Sequence, residues 1–130
     1  MSLQTLIDYP SHLLEKGVYK NFKYIVAHNG LGFRCGYVKL DWGHPWYRSD
    51  DVDDCICHGG ITYSDDDTIA GWWIGFDCCH YTDMIDFDLP GEHKILKDIM
   101  GGQGRSIKTT EFVRQQCFLL IEQALLKINN

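Results

Sequence analysis

The sequence predicts an α+β domain: a mostly antiparallel sheet, a C-terminal helix packed across one face, and short helical pieces at the N-terminus. Three observations carry this. Residues 22–40 alternate side chains at strand period around an Asn29-Gly30 hairpin signal. The run 72–79 is short, aromatic and continuously apolar, as in a strand buried on both faces. Val113, Cys117, Leu120, Ile121, Ala124 and Ile128 then recur at helical spacing, a stripe that would pack on the sheet.

The chain has 130 residues, which suits a single domain spanning 1–130 with a sizeable core. Its 45% hydrophobic and 23% charged content is that of a soluble globular protein. No apolar run is long enough to span a bilayer, and no basic stretch precedes an apolar signal core, so a cytoplasmic location without a membrane partner is expected. In that setting the six Cys are expected as free thiols.

The net charge is −6, and it is unevenly spread. Residues 41–88 hold twelve Asp against one base, Arg48, whereas 91–114 carry a small basic excess. So acidic a chain lacks the basic face of a general nucleic-acid binder.

Taken in order, residues 2–16 read as short helical pieces. Leu3, Leu6 and Ile7 share a face, Pro10 interrupts, and Ser11 can cap 12–16 before Gly17. A strand with Phe22, Tyr24 and Val26 on one face follows, and the return strand runs from Arg34 to Leu40. Residues 41–47 form a ring-rich loop directed by Pro45, and 49–54 an acidic link. Residues 55–58 read as a third short strand, Gly59-Gly60 as a bulge, and 61–64 as its continuation. After the strand at 72–79, residues 92–100 suggest a short helix, and 101–104 a glycine loop. Thr109 or Thr110 caps the last helix, and Glu111 suits its first turn. Phe112, Leu119 and Leu126 widen its apolar surface, which would allow a homo-oligomer through that helix.

Long motifs stand along this framework: Gly36-Tyr37-Val38, then Gly43-His44-Pro45, then His58-Gly59-Gly60-Ile61-Thr62-Tyr63-Ser64. They continue with Trp73-Ile74-Gly75-Phe76-Asp77-Cys78, His80 and Asp83, and end with Thr109, Glu111, Phe112 and Val113. In these the chain resembles a family of small phage- and prophage-encoded proteins, over roughly residues 20 to 125. The resemblance implies a phage setting rather than an activity. That family usually has a small residue where Cys79 stands and variable ones at Cys55 and Cys57, so these thiols look local to this chain.

Several constellations could carry chemistry. His58, Asp77, Cys78, His80 and Asp83 are side chains that zinc or a similar divalent metal accepts. Strand alternation puts Cys78 and His80 on one face, so His58, Cys78 and His80 form an expected three-ligand set with water in an open position. Cys78 could instead be a nucleophile with His58 or His80 as its base. Residues 101–110 run a glycine loop and two bases into a helix N-terminus, which favours anions, but Ile107 occupies the place where a P-loop needs Gly. The acidic residues at 50–54 and 65–67 read as solvated loop, or as a mimic of nucleic-acid phosphates toward a basic host enzyme.

The leading expectation is a small accessory protein that binds a polar, nucleotide-like ligand or a host protein in counter-defence. Its site would be lined by His44, His58, Thr62, Tyr63, Asp77, Cys78, His80 and Asp83. The alternative is a metal-assisted or Cys-dependent hydrolase using the same cluster.

Overall fold

The structure, a computed structural model, describes residues 10–49, 52, 54–65, 71–91 and 104–128. Five strands form one antiparallel sheet: β1 (Leu13–Tyr19), β2 (Phe22–His28), β3 (Arg34–Leu40), β4 (Tyr63–Asp65) and β5 (Trp72–Asp77), in the order β1-β2-β3-β5-β4. Two short strands, β6 (Asp83–Met84) and β7 (Ser106–Ile107), pair in parallel beside it. The helix α1 (Thr110–Ile128) crosses one face of the sheet. The α+β architecture is therefore the one expected. Among the described residues no helix is long and apolar enough to cross a membrane.

Alternation builds the core. Phe22, Tyr24 and Val26 of β2, Val38 and Leu40 of β3, and Ile74 and Phe76 of β5 meet Val113, Cys117, Leu120, Ile121 and Ala124 of α1. Gly36 sits in this layer because the Phe76 ring takes the space its side chain would fill, 2.6 Å from an added Cβ. The opposite face carries a smaller cluster, Ala27, Cys35, Tyr37 and Trp73, with Ile25 and Tyr63 against it. Ile128, placed in the helix stripe by its spacing, is 54% exposed instead, one turn past the last core contact.

Thr109 caps α1: its Oγ1 accepts the Phe112 N–H at 3.1 Å. Arg34 fixes the same helix start. It donates to Thr110 Oγ1 (3.0 Å), to the Lys108 carbonyl (3.1 Å) and to Asp86 (2.9 Å). At the sheet edge, Glu15 of β1 grips Arg114 of α1 with two bonds of 2.6 Å.

Two expectations are corrected. The helix expected through residues 12–16 is absent: Pro10–His12 is a single 3-10 turn, and Leu13 onward is β1. So short a helix gains little by itself, whereas β2 offers a full ladder of partners. Lys20 and Asn21, both at positive φ, close that hairpin as a two-residue turn. The piece of the N-terminal expectation at residues 2–9 lies outside the described residues, as do the helix expected at 92–100 and most of the glycine loop.

Residues 55–58 are likewise not a strand but a strap laid along α1. Its backbone is satisfied by glutamine side chains: Gln123 bonds both the Ile56 N–H (2.8 Å) and the Ile56 carbonyl (2.7 Å), and Gln116 accepts the His58 N–H (2.8 Å). Pairing with β5 begins only at Thr62, which donates to the Gly75 carbonyl at 2.9 Å.

Candidate functional site

Past Asp77 the chain leaves the sheet and turns. The Asp77 carboxylate accepts the Cys79 N–H at 3.0 Å, and Asp83 closes the next turn on itself. Its Oδ2 accepts the His80 N–H at 3.0 Å while its own N–H donates to the His80 carbonyl at 2.9 Å. Parallel pairing of β6 with β7 then draws in Lys108, whose Nζ stands 3.0 Å from Asp83 Oδ1.

The strap delivers the remaining partner. His58 Nε2 lies 2.8 and 2.9 Å from the two Asp83 oxygens, and the ring packs edge-on to Phe112 at 5.3 Å. The next residue, Gly59, has φ +71° and runs beneath the His80 ring, where an added Cβ would come within 2.2 Å of Cε1. His80 faces His58 at 5.4 Å between ring centroids. Its Nδ1 is 3.3 Å from Asp83 and its Nε2 is 3.5 Å from Asp77.

Asp83 is the hub, and it is 1% exposed. Burial alone would push its carboxyl up. The hydrogen bonds from His58, Lys108 and the His80 backbone outweigh that and hold it below the ordinary carboxylate value. Asp83 is therefore an anion at neutral pH, with the Lys108 ammonium and two imidazole rings around it. Among the described residues, His58, His80 and Asp83 each offer a metal-ligand atom, all within 4.8 Å of one another.

A pocket of about 320 Å³ lies on the sheet face away from α1. Thr62, Tyr63 and Asp77 line it with Asn29, Cys35 and Tyr37, and the Tyr37 and Tyr63 rings meet edge-on at 5.3 Å. Asp77 belongs to both places: it lines the pocket and touches His80 of the cluster.

Of the eight residues expected in one site, His58, His80 and Asp83 come together, with Asp77 against them, and Thr62 and Tyr63 share the adjoining pocket. Two stand elsewhere. Cys78 points into the helix-side core at 2% exposure, and burial pushes its thiol well up, so it supplies neither a metal thiolate nor a nucleophile to the cluster. The third ligand atom beside the two histidines comes from Asp83. Burial also raises the Cys35 thiol to about 11 and Cys57 to about 12. All six cysteines are free, as expected.

His44 lies at the other end of α1. Its Nδ1 accepts the Trp46 N–H and its Nε2 donates to the Ala124 carbonyl, both at 2.9 Å, which fixes a neutral tautomer. It ties the ring-rich loop to the helix. His44→Ala should therefore cost about 1–3 kcal/mol in urea unfolding by leaving buried groups unpaired, with no effect on any ligand of the cluster or pocket.

Sequence reasoning missed Lys108 as a partner of Asp83, and Gln116 as the residue that holds the strap. A buried carboxylate demands a cation, and the small basic excess of residues 91–114 was the signal that could have pointed to Lys108. Comparisons of the chain with protein-family models, with curated proteins and with solved structures find no match, so the site is read from its own chemistry.

Proposed function

We propose that the protein acts by binding a small polar ligand in the pocket between Asp77 and the Tyr37–Tyr63 pair. The observation that carries this reading is that Thr62, Tyr63 and Asp77, singled out by their chemistry, line one pocket large enough for a small heterocycle. Tyr37 and Tyr63 bring aromatic surface to its wall, Asn29 and Thr62 bring polar groups, and Asp77 brings a carboxylate. A flat ring with a donor-rich edge, of the nucleobase type, fits this arrangement: its N–H groups meet Asp77 and its face meets the tyrosines. In the phage setting that the sequence motifs imply, sequestering such a ligand would serve counter-defence.

A thermal-shift series with nucleosides and nucleotides tests this. A ligand held at 100 times its Kd adds about 2.7 kcal/mol to the folded state and raises Tm by several degrees. Asp77→Asn should remove most of the shift while changing the unliganded Tm little, because Asp77 is partly exposed. A series without any stabilising member, or a shift that Asp77→Asn leaves intact, defeats the proposal.

Against the Cys-dependent form of the hydrolase alternative stands the burial of Cys78 in the core. Its metal-assisted form depends on what the His58–His80–Asp83 cluster can hold.

A further inference from the structure

We propose that His58 Nε2, His80 Nδ1 and the Asp83 carboxylate form a binding site for a divalent cation of the zinc class, with a fourth position left for water. Two imidazoles and one carboxylate are a ligand set that zinc accepts, and three protein ligands with an open position are the pattern of a reactive rather than a purely structural zinc site.

Two of the three ligand–ligand distances are close to those required. Metal–ligand bonds of about 2.0–2.1 Å place tetrahedral ligands about 3.3 Å apart. His80 Nδ1 is 3.3 Å from Asp83 Oδ2, and His58 Nε2 is 2.9 Å from the same oxygen. A cation entering there takes the place of the His58 Nε2 proton, which is released to solvent. His58 and Asp83 separate by a few tenths of an ångström, and the two histidine nitrogens, within 4.8 Å of each other, draw together by up to about 1.5 Å.

The surroundings provide an independent argument. The second nitrogen of His80, Nε2, faces the Asp77 carboxylate at 3.5 Å. A carboxylate behind a metal-binding histidine orients the ring and raises its basicity. Asp83 is itself held by the His80 N–H, and His58 is positioned through its backbone bond to Gln116. Each ligand thus has its own support. His80 is 33% exposed at its side chain, which leaves a route in from solvent.

Among the described residues, Lys108 opposes the cation. Its ammonium lies 3.0 Å from Asp83 Oδ1, so it competes for the carboxylate and repels a second positive charge. The site is therefore set for weak, reversible occupancy, and removing Lys108 strengthens it. This inference does not rest on the ligand-pocket reading, because the cation is measured alone.

The test is calorimetric titration of the full chain with zinc, paired with cobalt(II) titration followed by visible absorption. Both use a Cys79→Ser background, since Cys79 is exposed and could take zinc by itself. One equivalent of metal should bind, with the intense absorption of four-coordinate cobalt. His80→Ala, the least buried ligand, should weaken zinc by more than the 10–100-fold attached to outer-shell partners. Lys108→Met should tighten it at least about tenfold, an effect a merely structural lysine would not produce. No binding by the Cys79→Ser protein, retention of affinity in a folded His80→Ala variant, or weakening in Lys108→Met overturns the proposal. Circular dichroism of each variant separates lost folding from lost metal.

Discussion

Asp83→Ala should lower the free energy of unfolding by about 3–5 kcal/mol, the range for removing one partner of a buried charge pair. The carboxylate is 1% exposed and accepts from His58, from Lys108 and from the His80 backbone. Deleting it leaves the His58 ring, the Lys108 ammonium and the His80 N–H without their shared acceptor. Lys108 keeps its bonds to the Thr82 and Ser106 carbonyls and to Ser106 Oγ, which favours the lower end of the range. Urea unfolding at pH 7 measures the loss, and a change under 1 kcal/mol would show that Asp83 is not the hub described. The pH dependence has a definite sign. The folded carboxyl titrates below its ordinary value of 3.8, so its contribution is complete above that value and disappears as pH falls through the folded one. The gap between wild type and Asp83→Asn should therefore be constant near neutrality and shrink only below pH 3.8.

Gly59→Ala should cost about 2–6 kcal/mol, the sum of two penalties of about 1–3 kcal/mol each from strained backbone and from overpacking. Gly59 has φ +71°, and the added methyl would stand 2.2 Å from the His80 ring. The backbone there is held at both ends, by the His58–Gln116 bond and by the Gly60 N–H on the Cys57 carbonyl at 3.0 Å. His80 is the part able to yield. Its ring should swing toward solvent, parting from Asp83 and Asp77. The signature would be a destabilised fold accompanied by a changed His80 ring resonance and an intact His44 resonance in NMR. Gly60→Ala, at φ +80° with open space around it, isolates the backbone penalty and should cost less. Equal losses at the two glycines would refute the packing of His80 on Gly59.

These effects also mark what could be read from the chain alone. The strands at 22–28 and 34–40, the buried strand at 72–77 and the last helix follow from local period, because each hides a face whose spacing is written in consecutive residues. β1 did not follow, since Leu13 to Lys16 become a strand only by pairing with β2. The strap at 55–58 did not follow either, because its hydrogen bonds end on Gln116 and Gln123, about sixty residues away. For the site, residue type was informative but parity misled. Strand alternation put Cys78 beside His80, yet β5 ends at Asp77 and the chain turns, so Cys78 stays in the core while His80 swings to Asp83. His44 looked chemical, and its ring is spent on the Ala124 carbonyl, a partner that no local pattern announces.

The outer strands of the sheet have a consequence for the protein's behaviour in a crowded solution. Among the described residues its free margins are β1 and β4. β4 has three residues, and β1 skips its register between Leu13 and Glu15 and then exposes Lys16. An extended chain seeking to add itself by backbone hydrogen bonds finds too short a rail on one side, and a kinked, charged one on the other. Val18, 64% exposed, would otherwise invite such growth. The two margins thus offer little purchase for edge-to-edge pairing with another sheet.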